Sequence, residues 1–178
     1  MTGGPRPGPE PGADPVPPDS FRDAMAGVCS PVTIVTTTTG PREPRGATVS
    51  AFASLSLDPP MVSVALSTTS TLLRAIVDTG RFGINVLSEG QQHLAVRFSQ
   101  NGIDRFAGVP WEPDHDLPRL GGAGTWIVCD LAETARGGDH VLLLGTVRHT
   151  SSTPVPPLIY ARRSFGTHSA LTGRATTP

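Results

Sequence analysis

Short β-branched runs separated by turn residues recur along most of the chain, and they constrain its fold more than any other feature. The clearest run, 32–37, is β-branched at every position and is typical of a strand. Similar patterns predict further strands at 46–57, 61–66, 82–87, 125–133, 140–149 and 158–160. Because helical segments do not alternate with these strands as βαβ units, we predict a mainly β, antiparallel barrel with short helices rather than a doubly wound parallel sheet.

Helix-capping residues mark where the short helices begin. Two pairs have the spacing of a capping box, Ser20 with Asp23 and Ser88 with Gln91. Ser70 can cap a helix that Gly80 would end. We therefore predict helices at 21–27, 71–78 and 88–98, and a loop over most of 99–123.

Length and composition indicate one domain. We expect 19–168 to form it, with a disordered tail at 1–18, where seven of eighteen residues are Pro, and a C-terminal tail at 169–178. The net charge of -1 gives no basic field for nucleic acid, and no apolar run approaches a membrane span of about 18 residues. Cys29 and Cys129 lack metal-type spacing and are predicted to be buried free thiols, which fits a cytoplasmic protein.

The basic residues are all arginine. The chain has fourteen Arg and no Lys, which excludes Schiff-base catalysis through lysine. Any phosphate must therefore be bound by Arg, hydroxyl groups or backbone N–H groups.

Two segments have compositions that suit a flat, phosphorylated ligand. Residues 46–56 alternate small and hydroxylated side chains, so a ring could approach the backbone; an ordinary barrel strand would also explain them. Residues 67–71 place five hydroxyls at a predicted helix start, either as a phosphate cradle or for simple N-capping.

Two further segments contain a polar side chain that could contact a ligand, but their patterns are less specific. Arg97, beside Phe98, could pair with a phosphate or only complement a helix dipole. His140, after Gly138 and Asp139, could face a cofactor or be a structural hydrogen-bonding residue. The other histidines show no ligand spacing, so we predict no metal site, and no glycine-rich fingerprint supports a Rossmann site.

Taken together and in this order, these segments resemble the short-chain flavin reductase family, over roughly residues 21–166. The resemblance is strongest in FASLSLDPP (52–60), GRFGINVL (80–87), DRFAGVPW (104–111) and GDH (138–140). It implies an FMN-binding split barrel and a homodimer that uses NADH or NADPH to reduce FMN or FAD for a partner flavin-dependent monooxygenase.

The resemblance also implies which residues bind the cofactors. The flavin ring would meet Gly46, Ala47, Thr48, Ser50 and Ala51, and the ribityl phosphate Ala65, Leu66, Ser67, Thr71 and Leu72, with Arg97 and Phe98 nearby. His140 would be the catalytic residue, orienting the nicotinamide or donating a hydrogen bond to the stacked rings. Tyr160, Ala161, Arg162 and Arg163 would help to position the nicotinamide cofactor. Many relatives differ in having Asn at position 50, a basic residue at 68 and Gly near 163.

Three other functions remain open on the sequence alone. The chain could be an oxidoreductase that keeps its flavin and reduces a specific organic substrate. It could be a non-catalytic flavin-binding protein. It could also bind heme or a pyridoxal-type ligand, because one fold can serve several functions.

Overall fold

The computed structural model describes residues 14–168. Within this range the helices are α1 (Pro18–Ala26), α2 (Thr71–Thr79) and α3 (Gln92–Ser99). The strands are β1 (Ser30–Pro31), β2 (Thr33–Thr38), β3 (Pro44–Val49), β4 (Phe52–Leu57), β5 (Pro60–Ser67), β6 (Arg81–Val86), β7 (Trp111–Asp114), β8 (Leu117–Leu120), β9 (Thr125–Gly137), β10 (His140–Ser152), β11 (Ile159–Ala161) and β12 (Ser164–Gly166). The mainly β, antiparallel fold class is confirmed.

A seven-stranded sheet in the order β3-β2-β6-β9-β10-β5-β4 forms the body of the domain. Its pairings are antiparallel. β3 and β4 follow each other in the chain yet lie at opposite edges of the sheet, so the predicted single strand at 46–57 is wrong. The ladder breaks at Ser50 and Ala51, where the chain passes from one edge to the other and curls the sheet toward a barrel.

Large apolar side chains from several strands of this sheet fill the core. The main cluster contains Val35, Phe82, Ile84 and Leu143, all fully buried, together with Leu72 and Ile76 from α2. At Gly83 the indole of Trp126 crosses the strand so closely that an added Cβ would lie 2.1 Å from it. The Trp126 side chain therefore packs directly against the backbone of β6, where no other side chain would fit at position 83.

Helix α2 has the ends that the sequence predicts. The Ser70 hydroxyl accepts a hydrogen bond from the Leu73 N–H at 3.4 Å, and Gly80 ends the helix in the left-handed region at φ 70°. Its buried face packs against the sheet. The helix thus connects the loop at residues 67–70 rigidly to the core.

The two capping boxes do not form as predicted. Ser20 and Asp23 lie inside α1, which starts at Pro18 without a side-chain cap, and Asp23 instead pairs with Arg163 at 2.6 Å. Ahead of α3, the Gln91 side chain accepts from the Ser88 N–H, but the Ser88 hydroxyl donates to the Gly122 carbonyl. Asp23 therefore has a distant partner in place of the local one, whereas the second capping box forms one of its two bonds and the Ser88 hydroxyl takes a distant acceptor.

The predicted loop at 99–123 contains a hairpin, β7–β8. Its turn residues, His115 and Asp116, are both in the left-handed region, at φ 53° and 64°. Asn85 on β6 holds the hairpin down: its amide donates to the Pro118 carbonyl at 3.3 Å and its oxygen accepts from the Leu120 N–H at 2.8 Å. The hairpin therefore depends on a contact far away in sequence.

The two cysteines differ in exposure, so the prediction that both are buried is wrong for Cys29. Cys129 is buried, and burial, with a smaller contribution from the Asp130 charge, raises the pKa of its thiol to about 12. Because the thiolate is the reactive form, we expect a disulfide reagent at pH 8 to modify one thiol per native chain rapidly and the second only after denaturation. Cys29→Ser should abolish the rapid phase; a rapid phase that survives it would contradict this assignment.

The predicted tails at 1–18 and 169–178 fall almost entirely outside the described residues and stay predictions. None of the helices within 14–168 is long and apolar enough to cross a membrane.

Candidate functional site

The start of β10 brings the predicted catalytic histidine beside the predicted phosphate loop. In the β5–β10 ladder His140 lies opposite Ser67, and the Thr68 N–H donates to the Asp139 carbonyl at 2.9 Å. These residues are about 70 positions apart in the chain. The sheet therefore assembles two of the four sequence-predicted segments into one place.

The loop at residues 67–71, which we call the hydroxyl loop, has some of its hydroxyl groups hydrogen-bonded within the loop and the adjoining helix. The Ser67 and Thr69 hydroxyls are 2.9 Å apart and the Thr69 N–H donates to Ser67 Oγ. Ser70 caps α2, so N-capping accounts for one of the five hydroxyls. Thr68 and Thr71 are exposed, and with the first-turn N–H groups of α2 they face the positive end of the helix dipole.

A cavity of about 430 Å³ lies at the start of α2. We call it the basic cavity. Its lining combines three predicted flavin-binding residues with two arginines and the loop after α3: Pro44, Arg45, Gly46, Thr71, Leu72 and residues 101–106. A helix N-terminus with two guanidinium groups is a suitable environment for a phosphate.

Arg105 is the most firmly held cation of the basic cavity. Its Nη1 donates to the Gly46 carbonyl at 2.7 Å, its Nε to the Gln100 carbonyl at 2.8 Å and its Nη2 to the Asn101 side chain at 3.1 Å. Burial lowers the pKa of the guanidinium, which nevertheless stays charged at neutral pH. Sequence reasoning missed Arg105 as a site residue, although it belongs to the DRFAGVPW segment.

His140 presents an imidazole that is 48% exposed and oriented by its neighbour. Its Nδ1 lies 2.8 Å from Asp139 Oδ1. This side-chain hydrogen bond, followed by the coulombic attraction of His140, lowers the pKa of the Asp139 carboxyl. The pair leaves the Nε2 atom of His140 as the ring nitrogen available to a ligand.

The predicted ring-binding residues on β3 serve mainly in packing. Gly46 is buried, and an added Cβ there would lie 3.1 Å from Phe98 and 3.2 Å from Phe106. Ala47 packs against the main core, and the Thr48 hydroxyl donates to the Ala95 carbonyl of α3 at 2.6 Å. Ser50 and Ala51, in contrast, are exposed at the link between the sheet edges.

The remaining predicted flavin-binding residues are also partly used by the fold. Ala65 is half-buried and Leu66 is buried in the core. Phe98 is fully buried, and Arg97 donates to the Arg105 and Asp104 carbonyls at 2.7 and 2.9 Å. Arg97 thus fixes the loop that carries Arg105.

Residues 160–163 lie on the β11–β12 hairpin, in a three-stranded sheet separate from the one that carries His140. Arg162 and Arg163 form its turn with φ of 48° and 60°. The Arg162 N–H donates to the Ala26 carbonyl, and Arg163 pairs with Asp23 at 2.6 Å. The hairpin is therefore attached to α1, and within one chain the structure does not bring Tyr160 and Ala161 to the basic cavity.

The residues of the basic cavity and the hydroxyl loop fit a flavin phosphate. The basic cavity supplies guanidinium donors, the hydroxyl loop supplies N–H and O–H donors, and the sheet places His140 opposite Ser67. Ser50 and Ala51 are exposed, and the Ala51 carbonyl accepts from the Ala65 N–H on β5, so a flat ring could lie beside them next to β5. Arg97 and Phe98 would act on that ligand through the Arg105 loop.

A mainly β, antiparallel fold with a cavity lined by two arginines and the start of a helix is the context for the comparison with known proteins. The chain belongs to the flavin reductase like domain family, whose profile matches residues 25–169. It is similar to the NADH:riboflavin 5'-phosphate oxidoreductase of Streptomyces pristinaespiralis, with 38% identity over 168 residues, 92% of this chain and 95% of that protein.

The chain is also similar to a monooxygenase reductase subunit and to a solved oxidoreductase structure. The reductase subunit HsaB of a flavin-dependent monooxygenase from Mycobacterium tuberculosis is 34% identical over 165 residues, 90% of this chain and 86% of that protein. The solved structure of Streptomyces globisporus NADH:FAD oxidoreductase SgcE6 in complex with NAD and FAD fragments superposes with a TM-score of 0.81 and 27% identity, covering 92% of this chain and all of that one.

Proposed function

We propose that this chain is an NADH-dependent flavin reductase that supplies reduced FMN or FAD to a separate flavin-dependent monooxygenase. The observation that carries the proposal is the juxtaposition of His140 with the hydroxyl loop beside the basic cavity. Similarity to an NADH:riboflavin 5'-phosphate oxidoreductase and to a monooxygenase reductase subunit supports the same function. NADPH remains the second candidate for the reductant.

Arg105, Arg45 and the first turn of α2 would hold the flavin phosphate, and Ser50, Ala51 and Ala65 would lie along the ring. A bound flavin supplies the hydride acceptor, and the protein supplies orientation and electrostatics. The Arg105 guanidinium has further N–H donors on Nη1 and Nη2 beyond its three bonds to the protein. It can therefore bind a phosphate without giving up its own position.

His140 would act through Nε2 at the side where the nicotinamide approaches. Asp139 fixes the ring through Nδ1, so the donor or acceptor at Nε2 points in a defined direction. No nucleophile is needed for this role, because hydride passes between the two cofactors when they are held in contact. The residues of the hairpin 160–163 would contribute to the nicotinamide site only through a second copy of the chain.

A steady-state assay tests the function directly. NADH and NADPH oxidation is measured anaerobically with FMN, FAD or riboflavin at rising concentration. We expect saturable turnover that depends on the added flavin, with NADH preferred. A yellow protein after gel filtration that reduces added flavin only slowly would instead indicate an oxidoreductase that retains its flavin.

His140→Ala is expected to lower kcat/KM for NADH about 10-fold, the loss that corresponds to one orienting hydrogen bond. His93→Ala, an exposed histidine on α3, is the matched control and should leave the rate unchanged. Stopped-flow kinetics under anaerobic conditions separate NADH binding from hydride transfer. Wild-type kinetics in His140→Ala would remove His140 from the mechanism.

We also propose that the protein is a cytoplasmic homodimer. Apolar side chains are exposed on the edge strand β4, where Leu57 is 93% exposed, and on α1, at Phe21 and Met25. Such an edge is a ready surface for pairing with another chain. Multi-angle light scattering that gives the monomer mass at assay concentration would count against the dimer.

A further inference from the structure

A second cavity, of about 780 Å³, lies at the other end of α2 from the hydroxyl loop. It is enclosed by the β2–β3 turn, the last residue of α2, the start of β6 and the β7–β8 hairpin. We call it the Arg42 cavity. Its volume falls within the range of small-molecule sites. It shares no residue with the flavin-binding set and has no part in the function proposed above.

The Arg42 side chain is the free cation of this cavity. Among residues 14–168 no hydrogen bond or ion pair engages its guanidinium. Arg42 also sits at φ 62° after Pro41, in a turn closed by the Glu43 N–H on the Gly40 carbonyl at 3.0 Å. Glycine or asparagine is favoured at such a position, so an arginine there carries a backbone cost without any compensating contact inside the fold.

The other charges around the cavity are of both signs. Arg81 lies 3.3 Å from Asp130, but Asp130 is also engaged by Arg148 at 2.7 Å, so one carboxylate serves two guanidinium groups. Asp116 is the acidic residue of the lining. Arg42, Arg81 and Asp116 line the cavity, and the Glu43 carboxylate lies 3.3 Å from the hydroxyl of Thr39, another lining residue. The preference for an anion therefore rests on the unpaired Arg42 guanidinium.

The threonine hydroxyls of the wall already have partners, whereas the Asp116 carboxylate, like Arg42, makes no hydrogen bond or ion pair with a described residue. The Thr37 hydroxyl donates to the Arg81 carbonyl at 2.8 Å and the Thr38 hydroxyl to the Asp116 carbonyl at 3.0 Å. The Thr79 hydroxyl donates to the Ala75 carbonyl at 2.9 Å. The hydroxyls thus shape the cavity, and Arg42 is left to make the charged contact with a ligand.

One part of the lining is apolar and rigid. Trp111, Pro113 and Leu117 line it. The Trp111 indole is half-buried and packs edge-on against Phe106, with ring centroids 5.8 Å apart. Because Asn85 and Thr36 both hydrogen-bond the Pro118 carbonyl, the hairpin that carries this wall is fixed in advance of binding.

We propose that the Arg42 cavity is a second ligand site, which binds a small aromatic carboxylate. The carboxylate pairs with the Arg42 guanidinium, whose fork geometry suits two oxygens. The ring occupies the apolar wall beside Trp111, where flat, hydrophobic surface is buried with little loss of freedom. Both halves of the ligand are needed, because the free cation and the apolar residues line the same cavity.

The test uses the full-length protein without nicotinamide and 2-naphthoate as the probe, with binding measured by isothermal titration calorimetry. We expect saturable binding of 2-naphthoate and at least about 10-fold weaker binding of 2-naphthamide, which lacks the charge. Arg42→Gly removes the guanidinium and suits the backbone at φ 62°, so it should fold and lose about 10-fold in affinity. Arg22→Ala, on the exposed face of α1, is the matched control and should bind as the wild type does.

Three results would overturn the proposal: no binding of 2-naphthoate at millimolar concentration, equal binding of the amide, or unchanged affinity in Arg42→Gly. A competition arm separates this site from the basic cavity. If FMN displaces 2-naphthoate stoichiometrically, the probe lies in the basic cavity and the Arg42 site is wrong. Arg42→Gly should weaken 2-naphthoate without changing turnover of FMN, so the outcome does not depend on whether the reductase function is correct.

Discussion

Asn85→Leu is expected to lower the free energy of unfolding by about 3 kcal/mol, because it leaves the buried Leu120 N–H without a partner and removes one of the two donors to the Pro118 carbonyl. The Asn85 amide donates to the Ile34 carbonyl at 3.1 Å and to Pro118, and its oxygen accepts from the Leu120 N–H. All of these residues are buried. Leucine has a similar volume but can satisfy none of these groups. Urea denaturation followed by far-ultraviolet circular dichroism measures the loss.

Two further variants make this prediction specific. Gln92→Leu, on the exposed first turn of α3, is the matched surface control and should change stability by less than about 0.5 kcal/mol. Asn85→Asp retains the acceptor for Leu120 but loses the donor to Ile34 and Pro118, so it should also destabilise the protein at neutral pH. If Asn85→Leu unfolds at the wild-type urea concentration, the network does not hold the β7–β8 hairpin.

Arg105→Ala is expected to raise KM for FMN about 100-fold with a small change in kcat. A charge-assisted hydrogen bond to phosphate contributes roughly 1.5–3 kcal/mol, which corresponds to about 10- to 100-fold in affinity. Arg105 is predicted at the upper end because its own bonds to Gly46, Gln100 and Asn101 hold it in place. Steady-state kinetics with FMN as the varied substrate measure the effect.

Riboflavin, which lacks the phosphate, distinguishes phosphate binding from a structural role. If Arg105 contacts the phosphate, Arg105→Ala raises KM for FMN and leaves KM for riboflavin nearly unchanged. If Arg105 only supports the loop, both values rise together. Arg45→Ala tests the charge separately, because Arg45 makes only a 3.9 Å ion pair with Glu43 and a bond to the carbonyl of Pro44. We expect a smaller rise of about 10-fold.

The sequence alone predicts the elements whose signals are local. Strands such as 32–37 are recognisable because β-branched side chains favour extended backbone, and β2 occupies 33–38. The helix α2 is recognisable because Ser70 and Gly80 satisfy its ends by bonds within a few residues. The family was also accessible from the sequence, because its motifs are contiguous runs, and the match to residues 25–169 bears this out.

Contacts between distant segments decide the rest. The run 46–57 has the composition of one strand, but the chain divides it at Ser50, because β3 pairs with β2 and β4 pairs with β5 at opposite edges of the sheet. Asp23 has the spacing of a capping residue, but its carboxylate instead accepts a hydrogen bond from Arg163, 140 positions away in the chain. The β7–β8 hairpin has no strand signal of its own, and Asn85 on β6 holds it to the sheet through bonds to Pro118 and Leu120.

The candidate site divides in the same way. Sequence determined the residue types: an all-arginine set of cations, hydroxyls at a helix start and a histidine after Gly138 and Asp139. Only the tertiary structure decided that His140 lies opposite Ser67, that Arg105 reaches the Gly46 carbonyl, and that Gly46 and Thr48 are used in packing. The physical reason is that propensities and caps act over a few residues, whereas sheet register and burial depend on which distant segments compete for the same surface.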